Sequence, residues 1–238
     1  LVSRTGEVKL TDFGLARALR VFALLNHNLS QAATWRVNLG STAGGSDVYA
    51  GAWQAAWFIP FGTGSAEWES GSWWAMPNDE YIRHPFMAPI LLPATQIARY
   101  LHLEINDPAN PDGYVQLGRV FAGETFRPTY NASYGIKNQW VDLSKIDSAD
   151  SGAGFAERRR RQRRVAMELN FLNPDEAAVI HELQRRSGLT EEVLYVPDES
   201  DYQATQRYGF CGRLTELNAA VHGFYHNHAV PFAIEEWL

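Results

Sequence analysis

The segment from Val165 to Val196 constrains the fold most, because it carries two different periodicities with a punctuated boundary between them. Val165, Met167, Leu169 and Phe171 alternate with Ala166, Glu168 and Asn170, the period-two pattern of a strand with one buried face. Asn173-Pro174-Asp175-Glu176 then supplies an N-cap residue, a proline where no N–H is needed, and two acids against the positive end of a helix. Glu176 stands three residues after Asn173, the spacing of a capping box. Ala177, Ile180 and Leu183, flanked by Val179, form an apolar stripe, while Glu182, Gln184, Arg185 and Arg186 face away. Gly188 ends the helix behind two arginines that suit its negative end, and Glu191 to Val196 returns as a strand halted by Pro197. None of these residues suggests chemistry. The unit reads as scaffold.

The rest of the chain reads as strands and turns. Arg20 to Leu25 is apolar at nearly every position, as in a strand buried on both faces. Thr34 to Leu39 alternates, with Trp35, Val37 and Leu39 on one face. From Gly40 to Met76 the composition turns to Gly, Ser and Ala with five of the eight tryptophans, which predicts long loops around short strands. Ile97 to Ile105 and Tyr114 to Phe121 read as two strands, and the turn residues of 107–113 between them predict neighbours in one sheet. Further strands are expected over Tyr202–Leu217 and Val230–Trp237. The expected fold is mainly β: a jelly-roll-like β-sandwich over residues 1–128, a linker over 129–154, and a β domain with one helix over 155–238.

Composition narrows the function. A net charge of −6 argues against a dedicated nucleic-acid binder, which needs a basic field to displace counterions. One cysteine, Cys211, excludes an internal disulfide and a cysteine-built zinc site, and suits folding in a reducing cytoplasm. No apolar run is long enough to span a membrane as a helix, and the opening residues lack a signal-peptide pattern.

Several stretches invite a chemical reading and each has a plainer one. Asp12-Phe13-Gly14 matches the metal-binding segment of protein kinases, yet only eleven residues precede it and its required partners are absent. Asp107, Asn110 and Asp112 offer oxygens of the kind calcium prefers, against a rigid turn. His222, His226 and His228 could converge on a transition metal, against packing and surface roles. Trp53, Trp57, Trp68, Trp73 and Trp74 could stack on sugars, against core and subunit contact. The run Arg158, Arg159, Arg160, Arg161, Arg163 and Arg164 is read as a solvated loop, or as a surface pairing with carboxylates of a neighbouring subunit. No Gly-x-Ser-x-Gly or phosphate-binding glycine loop is present, and Cys211 reads as a small buried thiol in a strand. No catalytic residue, cofactor or metal is expected.

The stretch Asp12 to Ser30, with its Asp-Phe-Gly turn, apolar strand and His-Asn-Leu-Ser ending, resembles the opening of the β-sandwich domain in structural proteins of long-tailed bacteriophages. Ala98 to Gly123 resembles the later strand pair of that domain, and is also similar to galactose-binding-like jelly rolls. Glu182–Gly188, Val193–Asp198 and Phe232–Leu238 resemble the C-terminal domain of such tail proteins. The resemblance implies a distal tail or baseplate component of the virion, made in the host cytoplasm and placed at the tail tip. It implies a ring, commonly sixfold, that joins the tail tube protein to other baseplate or tail-tip proteins and the host-recognition apparatus. The C-terminal domain would then be similar to the tail-tube building unit, with the arginine run at subunit contacts. The alternative implication is a carbohydrate-binding module touching host surface glycans through Trp53, Trp57, Trp73 and Trp74, although no recognisable sugar or calcium ligand set accompanies them.

Overall fold

The computed structural model describes residues 13–57, 87–148, 154–201, 204–205 and 208–237, and the backbone of 2–3 and 7–8. It is mainly β, and the chain separates into two compact units. One comprises residues 1–125 with 197–207; the other comprises 126–196 with 208–238.

The first unit contains β1 (Val2–Ser3), β2 (Glu7–Val8), β3 (Arg17–His27), β4 (Thr34–Gly40) and β5 (Tyr49–Ala50). It continues with β6 (Gln54–Ala55), β7 (Met87–Ala98), β8 (Tyr100–Asn106) and β9 (Val115–Gly123). One antiparallel sheet has the order β1-β9-β3-β7, and the other has β2-β8-β4-β5 with β6 also on β4. Alternate residues of both sheets meet in one core, Phe22, Leu24, Ile90 and Leu92 from the first against Trp35, Val37, Leu39, Leu101 and Leu103 from the second. Two sheets sharing one core make a β-sandwich. Val21 to Leu25 are buried at every position, which explains the unbroken apolar run.

Two expectations fail here. Ile97 to Ile105 is not one strand: β7 ends at Ala98 and β8 starts at Tyr100 in the other sheet, while the Arg99 carbonyl between them accepts the Phe13 N–H at 3.1 Å. Nor are the strands either side of the 107–113 turn neighbours, since β8 pairs with β4 and β9 pairs with β3. The turn residues carry the chain across the sandwich by bonding to the Asn28–Ser30 turn after β3. Ser30 N–H donates to Asp107 Oδ2 at 2.8 Å, Asn110 Nδ2 donates to the Asn28 carbonyl at 3.1 Å, and Gln116 N–H donates to Asn28 Oδ1 at 2.6 Å. The next strand is therefore delivered beside β3.

The segment 197–207, expected as part of the C-terminal domain, belongs to the first unit. Arg20 on β3 holds it: its guanidinium donates to the Leu92 carbonyl and faces Glu199 at 3.5 Å.

The second unit contains β10 (Lys137–Asp142), β11 (Lys145–Ser148), β12 (Gly154–Glu157), β13 (Arg161–Leu172) and helix α1 (Pro174–Ser187). After it come β14 (Val193–Tyr195), β15 (Phe210–Leu214), β16 (Val221–Phe224) and β17 (Asn227–Glu236). The sheet order is β10-β13-β17-β15-β14, with β16 also on β17. Helix α1 lies on one face of it, Ile180 packing with Leu169, Leu172 and Val230, and Leu183 against Val165, Phe210, Leu214 and Ile234. The capping box forms as the sequence predicts: Glu176 N–H donates to Asn173 Oδ1 at 2.8 Å and Asn173 N–H returns to Glu176 Oε2 at 3.0 Å. Gly188 closes the helix at φ +53, a conformation that disfavours any side chain.

Residues 129–154, expected as linker, hold β10 and β11, and Thr129 N–H donates to Glu176 Oε1 at 2.6 Å. Their polar composition reflects strands exposed on both faces. The alternation of β13 also departs from expectation at its end: Val165 and Leu169 are buried, yet Phe171 is exposed and Leu172 is buried instead. A register shift between Leu169 and Leu172 inserts the extra residue that exchanges them.

Candidate functional site

Among the described residues, an exposed two-stranded arm continues β10 and β13 beyond the sheet. Lys137 to Asp142 pair with Ala166 to Arg161, and Lys145 to Ser148 pair with Glu157 to Gly154. Between these ladders two residues, Leu143 and Ser144, face three, Arg158, Arg159 and Arg160. That count is a β-bulge, which bends and twists the ribbon at the joint. Arg159 N–H donates to Ser144 Oγ at 2.9 Å, and Ser144 N–H donates to Asp142 Oδ1 at 2.9 Å. Hydrogen bonding from Ser144 to the Asp142 carboxyl, aided by Arg161, holds it below the usual carboxylate range.

Beyond the joint, β11 and β12 pair with each other alone among the described residues. Ile146 is directly opposite Ala156, and Phe155 is opposite Asp147, so the two large apolar side chains occupy opposite faces of the ribbon. Both are bare, Ile146 at 79% and Phe155 at 64% exposure, with Leu143 half-exposed at the joint. An isolated two-stranded ribbon is marginal in water. Apolar residues on both its faces gain only when something covers them.

The arginine run is accordingly not a loop. Arg158–Arg160 form the bulge, and Arg161, Arg163 and Arg164 lie in β13. Arg159 pairs with Glu157 at 3.0 Å and Arg161 with Asp142 at 3.2 Å. Arg163 is half-buried, pairs with the buried Glu236 and also donates to the Gly209 carbonyl. Arg164 is half-buried beside its ladder partner Glu235. Three of the six are therefore engaged inside the chain, and Arg158 and Arg160 are the exposed cations that make no ion pair with a described residue.

The other sequence candidates are dispersed. Asp107, Asn110 and Asp112 spend their oxygens on the crossing turn: Asp107 accepts from Ser30 N–H and Oγ–H and from Asn110 Nδ2, Asn110 Oδ1 from Asp112 N–H, and Asp112 Oδ2 from Asn28 Nδ2. Trp57 is core, its indole N–H donating to the Leu29 carbonyl at 2.9 Å, so it cannot belong to a sugar face. Trp53 is half-exposed, and the Arg36 guanidinium covers it at 4.7 Å from the ring centre. Trp68, Trp73, Trp74 and Asp12 lie outside the described residues. Phe13 packs on the sandwich core and Gly14 turns at φ +74 ahead of β3. His222 and His228 stack in the β16–β17 hairpin, whereas His226 occupies its turn. Cys211 is buried in β15. Among the described residues no group of three or more His, Cys, Asp or Glu could hold a metal, and no helix is long and apolar enough to cross a membrane.

Sequence reasoning missed the arm, although a signal existed. Lys145-Ile146-Asp147-Ser148 and Gly154-Phe155-Ala156-Glu157 each alternate weakly, and the arginines follow the second. No protein-family model, curated protein or solved structure matches this chain.

Proposed function

We propose that this protein is a structural subunit that assembles with copies of itself into a ring at the distal end of a phage tail. There it links the tail tube to the baseplate or host-recognition apparatus. The observation that carries the self-assembly is the two-stranded arm of residues 143–148 and 154–160, with Ile146 and Phe155 bare on opposite faces and Arg158 and Arg160 exposed at its joint. A heterologous contact between identical subunits closes into a ring when its rotation divides the circle. An arm on one subunit laid across its neighbour is such a contact. The chain's net charge of −6 gives the neighbour an excess of carboxylates to receive the two arginines.

The finer identification rests on the sequence resemblance. Supporting the jelly-roll reading, the chain changes sheet between β3 and β4, between β7 and β8, and between β8 and β9. Supporting the tube-unit reading, an antiparallel sheet carries one helix on one face and extends past it as a ribbon. On this account α1 is scaffold and the flanking strands meet neighbours. No chemistry is assigned to the protein, and it acts at the virion tail tip.

Electron micrographs of the purified protein test the proposal. Closed rings of uniform diameter are the expected result. Monodisperse single subunits at all concentrations, or open filaments, contradict it.

A further inference from the structure

The β16–β17 hairpin carries two imidazoles to which the proposed assembly assigns no role. His222 and His228 are direct partners in the antiparallel ladder, so their side chains leave the same face. The rings lie nearly parallel, 4.5 Å between centroids and 12° between planes. Neither makes a hydrogen bond or ion pair with a described residue, and His222 is exposed while His228 is half-buried. His226 is excluded by the turn: it sits at φ +56 with its ring edge-on to Tyr225, 4.1 Å between centroids.

We infer that His222 and His228 form a two-imidazole chelate for a borderline divalent transition metal: copper(II), nickel or zinc. These ions favour imidazole nitrogen, and neutral histidine supplies it without a charge to desolvate. Metal–nitrogen bonds of about 2.0–2.1 Å require two donor nitrogens closer together than the present ring centres. The rings reach that arrangement by turning about their own side-chain torsions, which exposure at His222 permits. Antiparallel register does the rest, since Cβ atoms of directly opposed residues are held about 4.5–5.5 Å apart. The backbone is thus already arranged, and water fills the remaining positions. Copper(II) should bind most tightly of the three, following the general order for nitrogen sites.

The test is calorimetric titration of the untagged full chain with nickel or zinc chloride at neutral pH. One metal per chain is expected, with saturable binding lost in His222→Ala and in His228→Ala and retained in His226→Ala. Because neither ring makes a hydrogen bond or ion pair with a described residue, both variants should keep close to the wild-type unfolding midpoint. A second readout needs no substitution: low copper(II) should broaden the ring resonances of His222 and His228 before those of the other histidines. Unchanged binding in His222→Ala, equal loss in His226→Ala, first broadening elsewhere, or no saturable binding would each overturn the assignment.

Discussion

Arg163 and Glu236 face each other at 2.5 Å with side chains only 12% and 5% exposed. The Arg163 N–H also donates to the second carboxylate oxygen, and the guanidinium lies over Phe210, 5.3 Å from its centre. Removing one member leaves the other charge buried, which typically costs about 3–5 kcal/mol. Arg163→Met should therefore lower unfolding free energy by about 3 kcal/mol in urea denaturation, and adding Glu236→Leu should recover much of it. Arg158→Ser and Arg160→Ser should leave that free energy within about 0.5 kcal/mol. A run of six similar arginines thus contains one that pairs with a buried carboxylate, and composition could not single it out because Glu236 lies 73 positions away.

His27 adds a pH dependence at the same scale. Burial pushes its imidazole down to about 4, against the opposing attraction of Asp107, and Nδ1 accepts the Leu29 N–H at 3.4 Å. The folded state keeps the ring neutral, while the unfolded chain takes up a proton below its ordinary value of about 6.5. Stability is therefore full above about 6.5, falls as pH drops from there towards 4, and levels off below. Denaturation midpoints measured across that window should show this slope, and His27→Asn should flatten it.

At the scale of elements, α1 is the best-specified piece, and its start depends on two reciprocal bonds. Partial burial works against the Glu176 charge, but the N–H groups of Asn173 and Thr129 outweigh it and hold the carboxyl below its usual range. Asn173→Ala should cost about 1 kcal/mol in chemical denaturation. The end of β13 gives a sharper test of the bulge. Leu172→Ala should cost about 2–5 kcal/mol, whereas Phe171→Ser, exposed against Tyr130, should cost less than about 1 kcal/mol. Simple alternation from Val165 predicts the reverse order. Legibility at this scale follows from whether a signal is local. Caps, the two-faced burial of β3 and the Trp35–Val37–Leu39 face were readable because neighbouring residues determine them. The bulge, the sheet change at Arg99 and the crossing of residues 107–114 were not, because each is fixed by partners far along the chain. The arm was hidden for a different reason: a ribbon bare on both faces has no buried side to write a period into the sequence.

At the scale of the molecule, two units divide the labour on this account. The sandwich uses its polar turn residues to route strands between sheets, and Arg20 ties segment 197–207 to it. The second unit places a helix on one sheet face and extends a ribbon beyond it. Contacts built on Arg158 and Arg160 should weaken as salt rises, because exposed charges are screened over about 8–10 Å at physiological ionic strength. Apolar contacts through Ile146 and Phe155 should persist. Sedimentation velocity over a concentration series, comparing the wild-type chain with Ile146→Ser/Phe155→Ser, tests the central claim most directly. The account predicts that the wild type sediments as one closed oligomer and the variant as a folded single subunit. A wild type that stays a single subunit, or a variant that assembles as the wild type does, would contradict it.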